Sequence, residues 1–333
     1  MSEENAKPNF NKNSIPNTFI TATAVCLVCS FLVAGAAVAL KPLQDRNKKL
    51  DIMSNIIRVA GFQDRDLESA AEPFEGEEEV GPIEACFKKG NGTRLGYIQD
   101  VLVDLETGST ETGLEKARQF LALEGDVSDA EVIQAYDQAK AAISTAADEK
   151  GNALYAKQLS KDEDIASLKV VEQVAHVYLL RNKDDQIIKY IFPVRGKGLW
   201  SVLYGFMAVE PDLQTISGLT YYSHGETPGL GGEVDNPTWK EQWTLNEDKP
   251  KKNKQIYDED GKVNIKVVKG KASNPYQVDG LAGATITSNG VTYMLQFWMG
   301  PEGFGPYIEN QKQPSDSTES VSANTGSKGA IDG

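Results

Sequence analysis

Residues 19–40 contain no charged side chain, an apolar run of the roughly 20 residues a helix needs to cross a bilayer. Its second half, Val33-Ala-Gly-Ala-Ala-Val-Ala-Leu40, is rich in small residues, the composition that lets membrane helices approach closely. Residues 41–62 then space Leu43, Leu50, Met53, Ile56, Ile57 and Ala60 among charges, an amphipathic helix leading away from the membrane. Residues 63–85 lose the periodicity; Glu75, Glu77, Glu78 and Glu79 with Pro73 and Pro82 make a solvated acidic linker. Alternation over 95–106 predicts a strand, and 114–147 turns helical behind a Ser128-x-x-Glu131 capping box. From Val170 on, short β-rich runs (174–180, 187–193, 200–209, 219–222, 263–268) stand between Gly/Pro turns, the spacing of hairpins in an antiparallel sheet. A last helix begins after residue 288, with Val291, Met294, Leu295 and Trp298 on one face and Thr287 or Ser288 as its N-cap. Beyond Ile308 the Ser-, Thr-, Asn- and Gly-rich sequence has no apolar pattern and is expected to be disordered.

The expected fold is α+β: one N-terminal transmembrane helix, then a mixed, largely antiparallel domain with a helical insertion. The expected boundaries are a cytoplasmic tail at 1–18, the membrane helix at 19–40, and the amphipathic helix and linker at 41–85. A partly helical insertion follows at 86–165, the main domain at 166–308 and a disordered tail at 309–333. A cleaved signal peptide is the competing reading of the apolar run, since Ala-Gly-Ala-Ala-Val-Ala offers small residues for cleavage. The length of the run, and Glu3 and Glu4 beside Lys7 and Lys12, favour a retained anchor.

Charge narrows the function classes. A formal net charge of −14 excludes a nucleic-acid binder, which needs a basic footprint. Three cysteines do not make a disulfide framework. Cys26 and Cys29 lie in the apolar run and read as packing, and Cys86 is the one thiol outside it. The two histidines have no partner at metal-ligand spacing, so no metal is expected; His176 reads as structural and His224 as a satisfied loop histidine. Gly196-Lys-Gly198 lacks a βαβ setting, and no Rossmann fingerprint for NADH is present.

The chemistry concentrates at Asp279-Gly-Leu-Ala-Gly-Ala-Thr-Ile-Thr-Ser-Asn-Gly290. Gly283 and Ala284 allow close backbone approach, Thr285 offers a hydroxyl, and amides near Thr287 and Ser288 at a helix start suit a phosphate. A glycine-rich turn that merely caps a core helix explains the same residues. The stretch resembles the flavinylation motif of the FMN-binding domain family, with Ala282 where that family usually has Ser or Thr. The resemblance implies FMN joined through a phosphodiester to the Thr285 hydroxyl. It also implies attachment by a flavin transferase that takes FMN from FAD and recognises Asp279 with the Gly-Ala-Thr core.

A second segment tips the balance. Gly196-Lys-Gly-Leu-Trp200, His224-Gly-Glu-Thr-Pro-Gly-Leu-Gly-Gly232 and Asn236-Pro-x-Trp239 closely resemble the C-subunit family of sodium-translocating NADH:quinone reductases, in the same order along the chain. That resemblance implies a subunit passing electrons between a metal centre and another flavin, in a membrane complex that moves electrons from NADH to quinone and exports sodium. Thr227, Gly229 and Leu230, with Leu199 and Trp200, become candidates to contact the flavin ring; core packing accounts for Trp200 equally well. The G-subunit of the related electron-transport complex, and a membrane-tethered binding module without redox role, are the alternatives. Orientation is divided: Lys41, Arg46, Lys48 and Lys49 after the run pull the large domain to the cytoplasm by the positive-inside bias. The resemblance places it outside the cytoplasmic membrane, and we follow the resemblance.

Overall fold

The computed structural model describes residues 15–63, 66–67, 81–89, 95–143, 156–246 and 248–312. Most of the expected N-terminal tail, the acidic run of the linker and residues 313–333 lie outside the described residues. The chain divides into two units, residues 1–52 and 53–333.

The first unit is built on α1 (Ile15–Ala60), whose last turns belong to the second. Among the described residues it is the one helix long and apolar enough to cross a membrane. The expected span at 19–40 and the expected amphipathic segment after it both lie in α1, which runs without a break through Pro42. Proline removes one N–H, leaving only the Val38 carbonyl without its helical donor, and the turns on either side continue.

In the second unit α2 (Pro82–Ala85) precedes β1 (Tyr97–Asp104), α3 (Thr110–Phe120) and α4 (Asp129–Ile143). Then come β2 (Ala156–Gln158), β3 (Val170–Glu172), β4 (Val174–Arg181), β5 (Ile187–Lys197), β6 (Val202–Val209) and β7 (Thr215–Ser223). A short α5 (Pro237–Lys240) leads to β8 (Lys254–Gln255), β9 (Lys266–Val268), β10 (Gln277–Asp279), α6 (Thr285–Trp298) and α7 (Gly305–Lys312). The main sheet has the order β1-β4-β5-β6-β7-β8, antiparallel throughout. Residues 86–165, expected as a partly helical insertion, thus supply an edge strand of that sheet as well as two helices. Residues 309–312, expected as disordered tail, are the last turn of α7: Ile308 and Tyr307 are buried and hold it.

The two sheet faces are covered differently. On one, alternate residues such as Val177, Phe192, Val194, Leu203 and Met207 form the core with α6. Val291, Met294, Leu295 and Trp298 give α6 its apolar stripe, each worth roughly 1.5–3 kcal/mol on burial. Close packing of α6 depends on two glycines. A Cβ at Gly290 would lie 2.3 Å from the Lys197 carbonyl oxygen, and one at Gly196 would lie 2.6 Å from Met294 Cβ. Helices α3 and α4 cover the other face through Ala117, Val132 and Tyr136 against Leu102 and Val174. Ser109 caps α3 by accepting from the Thr112 amide, and Ser128 with Glu131 forms the capping box that starts α4.

Candidate functional site

The helix α6 begins at Thr285, ahead of the Thr287 or Ser288 cap that the sequence pattern suggests, and this rearranges the roles of its polar residues. Its first i−4 bond runs from the Ser288 amide to the Ala284 carbonyl (3.0 Å), so Ala284 is the N-cap and Thr285 the first helical residue. Thr287 and Ser288, expected as caps, lie inside the first turn and point inward. Ser288 Oγ accepts from the Leu281 amide (3.1 Å), folding the loop back over the helix. Thr287 Oγ1 donates to Glu226 (2.6 Å) and is fully buried. With no side chain capping the helix, the amides of its first turn and the positive end of its dipole face the loop, as a phosphate requires. Thr285 is exposed there, and Gly283 just before it adopts φ +71°, the left-handed conformation that favours glycine.

Around this helix start the fold gathers an exposed apolar surface. Trp200 is 67% exposed and Ile286 57% exposed, with Leu199, Leu230 and Tyr293 also turned outward. Core packing of Trp200 is therefore ruled out. Leu230 lies against Gly283, where a Cβ would meet Leu230 Cδ2 at 3.1 Å. Single exposed apolar residues need no explanation; a group of them beside an uncapped helix is a candidate binding surface.

The loop from His224 to Gly232 supplies the far side. The Thr227 carbonyl accepts from the Leu230 and Gly232 amides (3.1 and 2.9 Å), and Gly229 at φ +76° lets the chain reverse. The Thr227 side chain is exposed, free of any core role. Gly231 allows the loop to press on α6: a Cβ there would lie 2.6 Å from Thr287 Oγ1. Asp279 stands apart, at the end of β10. Its Oδ1 accepts from the Ala272 amide (2.7 Å) and its Oδ2 pairs with Lys271 (2.6 Å). Burial pushes its pKa up, but these donors outweigh burial and hold the carboxyl below its ordinary value. Its carbonyl accepts from Trp239 Nε1 (2.8 Å), so it fixes the strand leading to the loop.

Glu226 is the residue that sequence reasoning passed over. Its carboxylate is only 5% exposed, and it accepts from Thr287 and from the amides of Leu199, Trp200 and Ser201. Its one signal in the sequence is an acidic side chain inside a glycine-rich run. His224 is satisfied by Asp235, Nε2 to Oδ2 2.7 Å, while its Nδ1 accepts from the Glu226 amide. That pattern puts the ring proton on Nε2. His176 belongs elsewhere, on β4 between Asp100 (2.9 Å) and Asp137 (3.0 Å). A cleft of about 450 Å³ lined by Asp104, Lys116, Glu172 and Glu302 shares no residue with this surface, and its charged walls suit no flavin ring.

Residues 198–300 match the model of the FMN-binding domain family, a span that holds the loop, the wall and α6. The chain is 41% identical over 300 residues to the C-subunit of the Na(+)-translocating NADH-quinone reductase of Vibrio parahaemolyticus, covering 90% of this chain and 95% of that one. With the C-subunit of the Pseudomonas aeruginosa reductase it shares 39% identity over 308 residues, covering 91% and 98%. The crystal structure of Shewanella oneidensis NqrC superposes with a TM-score of 0.51 at 28% identity, covering 74% of this chain and 95% of that one.

Proposed function

The chain belongs to the C-subunit family of Na(+)-translocating NADH-quinone reductases, and we propose that it carries FMN covalently on Thr285 as an electron relay. The carrying observation is the contrast between the two threonines. Thr285 is exposed at the first position of an uncapped helix, whereas Thr287 is buried and committed to Glu226. A phosphodiester at Thr285 would place its charge at the first-turn amides of α6. The apolar wall of Leu199, Trp200 and Leu230 would take the ring, with Gly283, Ala284, Thr227, Gly229 and Ser288 shaping the approach. Bound FMN supplies one- and two-electron chemistry; the protein supplies position and electrostatics.

A threonine hydroxyl is a weak nucleophile and needs a base. Glu226, the buried carboxylate of the neighbouring loop, is engaged by Thr287. Attachment is therefore the work of a separate flavin transferase that reads Asp279 and the Gly-Ala-Thr core. In that transfer Thr285 Oγ would attack the FMN phosphorus of FAD, with AMP leaving with the electron pair of the broken bond and the transferase taking the hydroxyl proton.

We further infer that α1 anchors the protein in the bacterial cytoplasmic membrane with the flavin domain outside, beside the other subunits. Electrons pass from NADH to ubiquinone through the complex, and sodium export is coupled across the whole assembly. The G-subunit of the related electron-transport complex is the alternative; identity and coverage favour the C-subunit family. Ultraviolet fluorescence of the denatured protein in a gel tests the reading. A fluorescent band from native membranes is expected, and an intact mass without added FMN would instead support a binding module.

A further inference from the structure

Glu226 stands where the two halves of the flavin surface meet. Its Oε1 accepts from the amides of Trp200 (2.9 Å) and Ser201 (3.1 Å). Its Oε2 accepts from the Leu199 amide (3.3 Å) and from Thr287 Oγ1 (2.6 Å). Ser201 Oγ in turn accepts from the Gly225 amide (2.6 Å), closing the ring of contacts. Two glycines form the mould: a Cβ at Gly198 would lie 2.6 Å from Oε1, and one at Gly231 would lie 2.5 Å from Oε2. Three successive amides converging on one anion make a nest of the kind that binds phosphate, here filled by the protein's own carboxylate.

The arrangement requires a carboxylate rather than an amide. Both oxygens accept, whereas glutamine has one acceptor and would turn its NH2 toward the Leu199 amide, donor against donor. Burial raises the Glu226 pKa, but the Thr287 hydroxyl and the three amides together hold it below the ordinary value, so it is ionised at neutral pH.

We propose that Glu226 is the positioning residue of the flavin surface: its carboxylate locks the Leu199–Ser201 wall to the first turn of α6 and sets a fixed negative charge beside the attachment point. The proposal rests on Thr285 as the flavin-bearing residue. Two effects follow. The wall and the hydroxyl are held in one geometry for attachment, and a reduced, more negative flavin is disfavoured by the neighbouring charge.

The test is Glu226→Gln in the full chain, co-expressed with the transferase, with Thr287→Val as the second variant. Attachment is followed by in-gel fluorescence over time, and the midpoint potential of the attached flavin by spectroelectrochemical titration. Circular dichroism of the unflavinylated protein checks the fold. Loss of charge-assisted bonds is expected to slow attachment about tenfold in Glu226→Gln. Its flavin potential is expected to rise, because a negative charge is removed. Thr287→Val removes one of four bonds and no charge, so it should slow attachment less and leave the potential nearer to wild type. A wild type without flavin would overturn the Thr285 reading itself. A flavinylated wild type with Glu226→Gln matching it in both rate and potential would overturn the positioning role. So would a Glu226→Gln variant that melts earlier yet keeps both values. Should Glu226→Gln fail to fold, a Thr287→Val variant that attaches flavin at the wild-type rate overturns the proposal on its own.

Discussion

Replacing each threonine of the α6 start by alanine separates attachment from stability. Thr285 is exposed and belongs to the first helical turn, where its hydroxyl serves no other side chain among the described residues. Alanine there is a better helix former, by up to about 0.7 kcal/mol, so Thr285→Ala should fold at least as well as wild type. Thr287 is the reverse case. Its hydroxyl makes a 2.6 Å bond to a buried carboxylate, of a kind worth about 1.5–3 kcal/mol, and its methyl contributes roughly another 0.8 kcal/mol of burial. Thr287→Ala should therefore lose about 2–4 kcal/mol and melt several degrees lower. In-gel fluorescence should show no band for Thr285→Ala and a weakened band for Thr287→Ala, and thermal melts of the same preparations should rank the two in the opposite order. A band retained by Thr285→Ala, or lost only in a folded Thr287→Ala, would refute the assignment of the anchor.

Two further outcomes follow from groups outside the proposed flavin surface. Burial alone would lower the His176 pKa, but Asp100 and Asp137 push it up to about 9 from an ordinary 6.5, with Lys140 on α4 and Tyr136 and Tyr178 packed around the cluster. A raised pKa stabilises the fold fully below pH 6.5 and loses that contribution as pH rises through about 9, so melting temperature should fall across that window and flatten in His176→Asn. For topology, Cys86 is no reporter: it is fully buried, and burial with the nearby Asp66 pushes its thiol up to about 12. Lys183→Cys on the exposed β4–β5 turn, in a chain without Cys26 and Cys29, should react with an impermeant maleimide in intact spheroplasts; labelling only after lysis would place the domain in the cytoplasm.

What the sequence made legible was what a single element encodes. Short β-rich runs between Gly/Pro turns located most strands of the main sheet, and the stripe of Val291, Met294, Leu295 and Trp298 located α6. Leu199, Trp200 and Leu230 are exposed, and Leu230 reaches Gly283 because glycine-rich runs are where backbone can be approached closely. The parts that stayed hidden depend on partners far along the chain. A first turn of Thr-Ile-Thr-Ser reads as a cap from its own neighbours, yet the bond that turns Thr287 inward reaches a residue 61 positions away. Cys86 beside an acidic run looks solvated until the Ile98 amide donates to its carbonyl and draws it under the sheet. Glu226 is the extreme case. A carboxylate among glycines has no period, no charged neighbour at helical spacing and no apolar face, so local pattern assigns it to a loop. Its meaning arises only when the Leu199–Ser201 amides and Thr287 converge on it, which takes the antiparallel pairing of β6 with β7 and the packing of α6 across the end of β5. A buried charge held by neutral donors alone is costly unless every acceptor position is filled. The four donors at Glu226 meet that condition, and the conformation they select is the one that leaves Thr285 outside and Thr287 within.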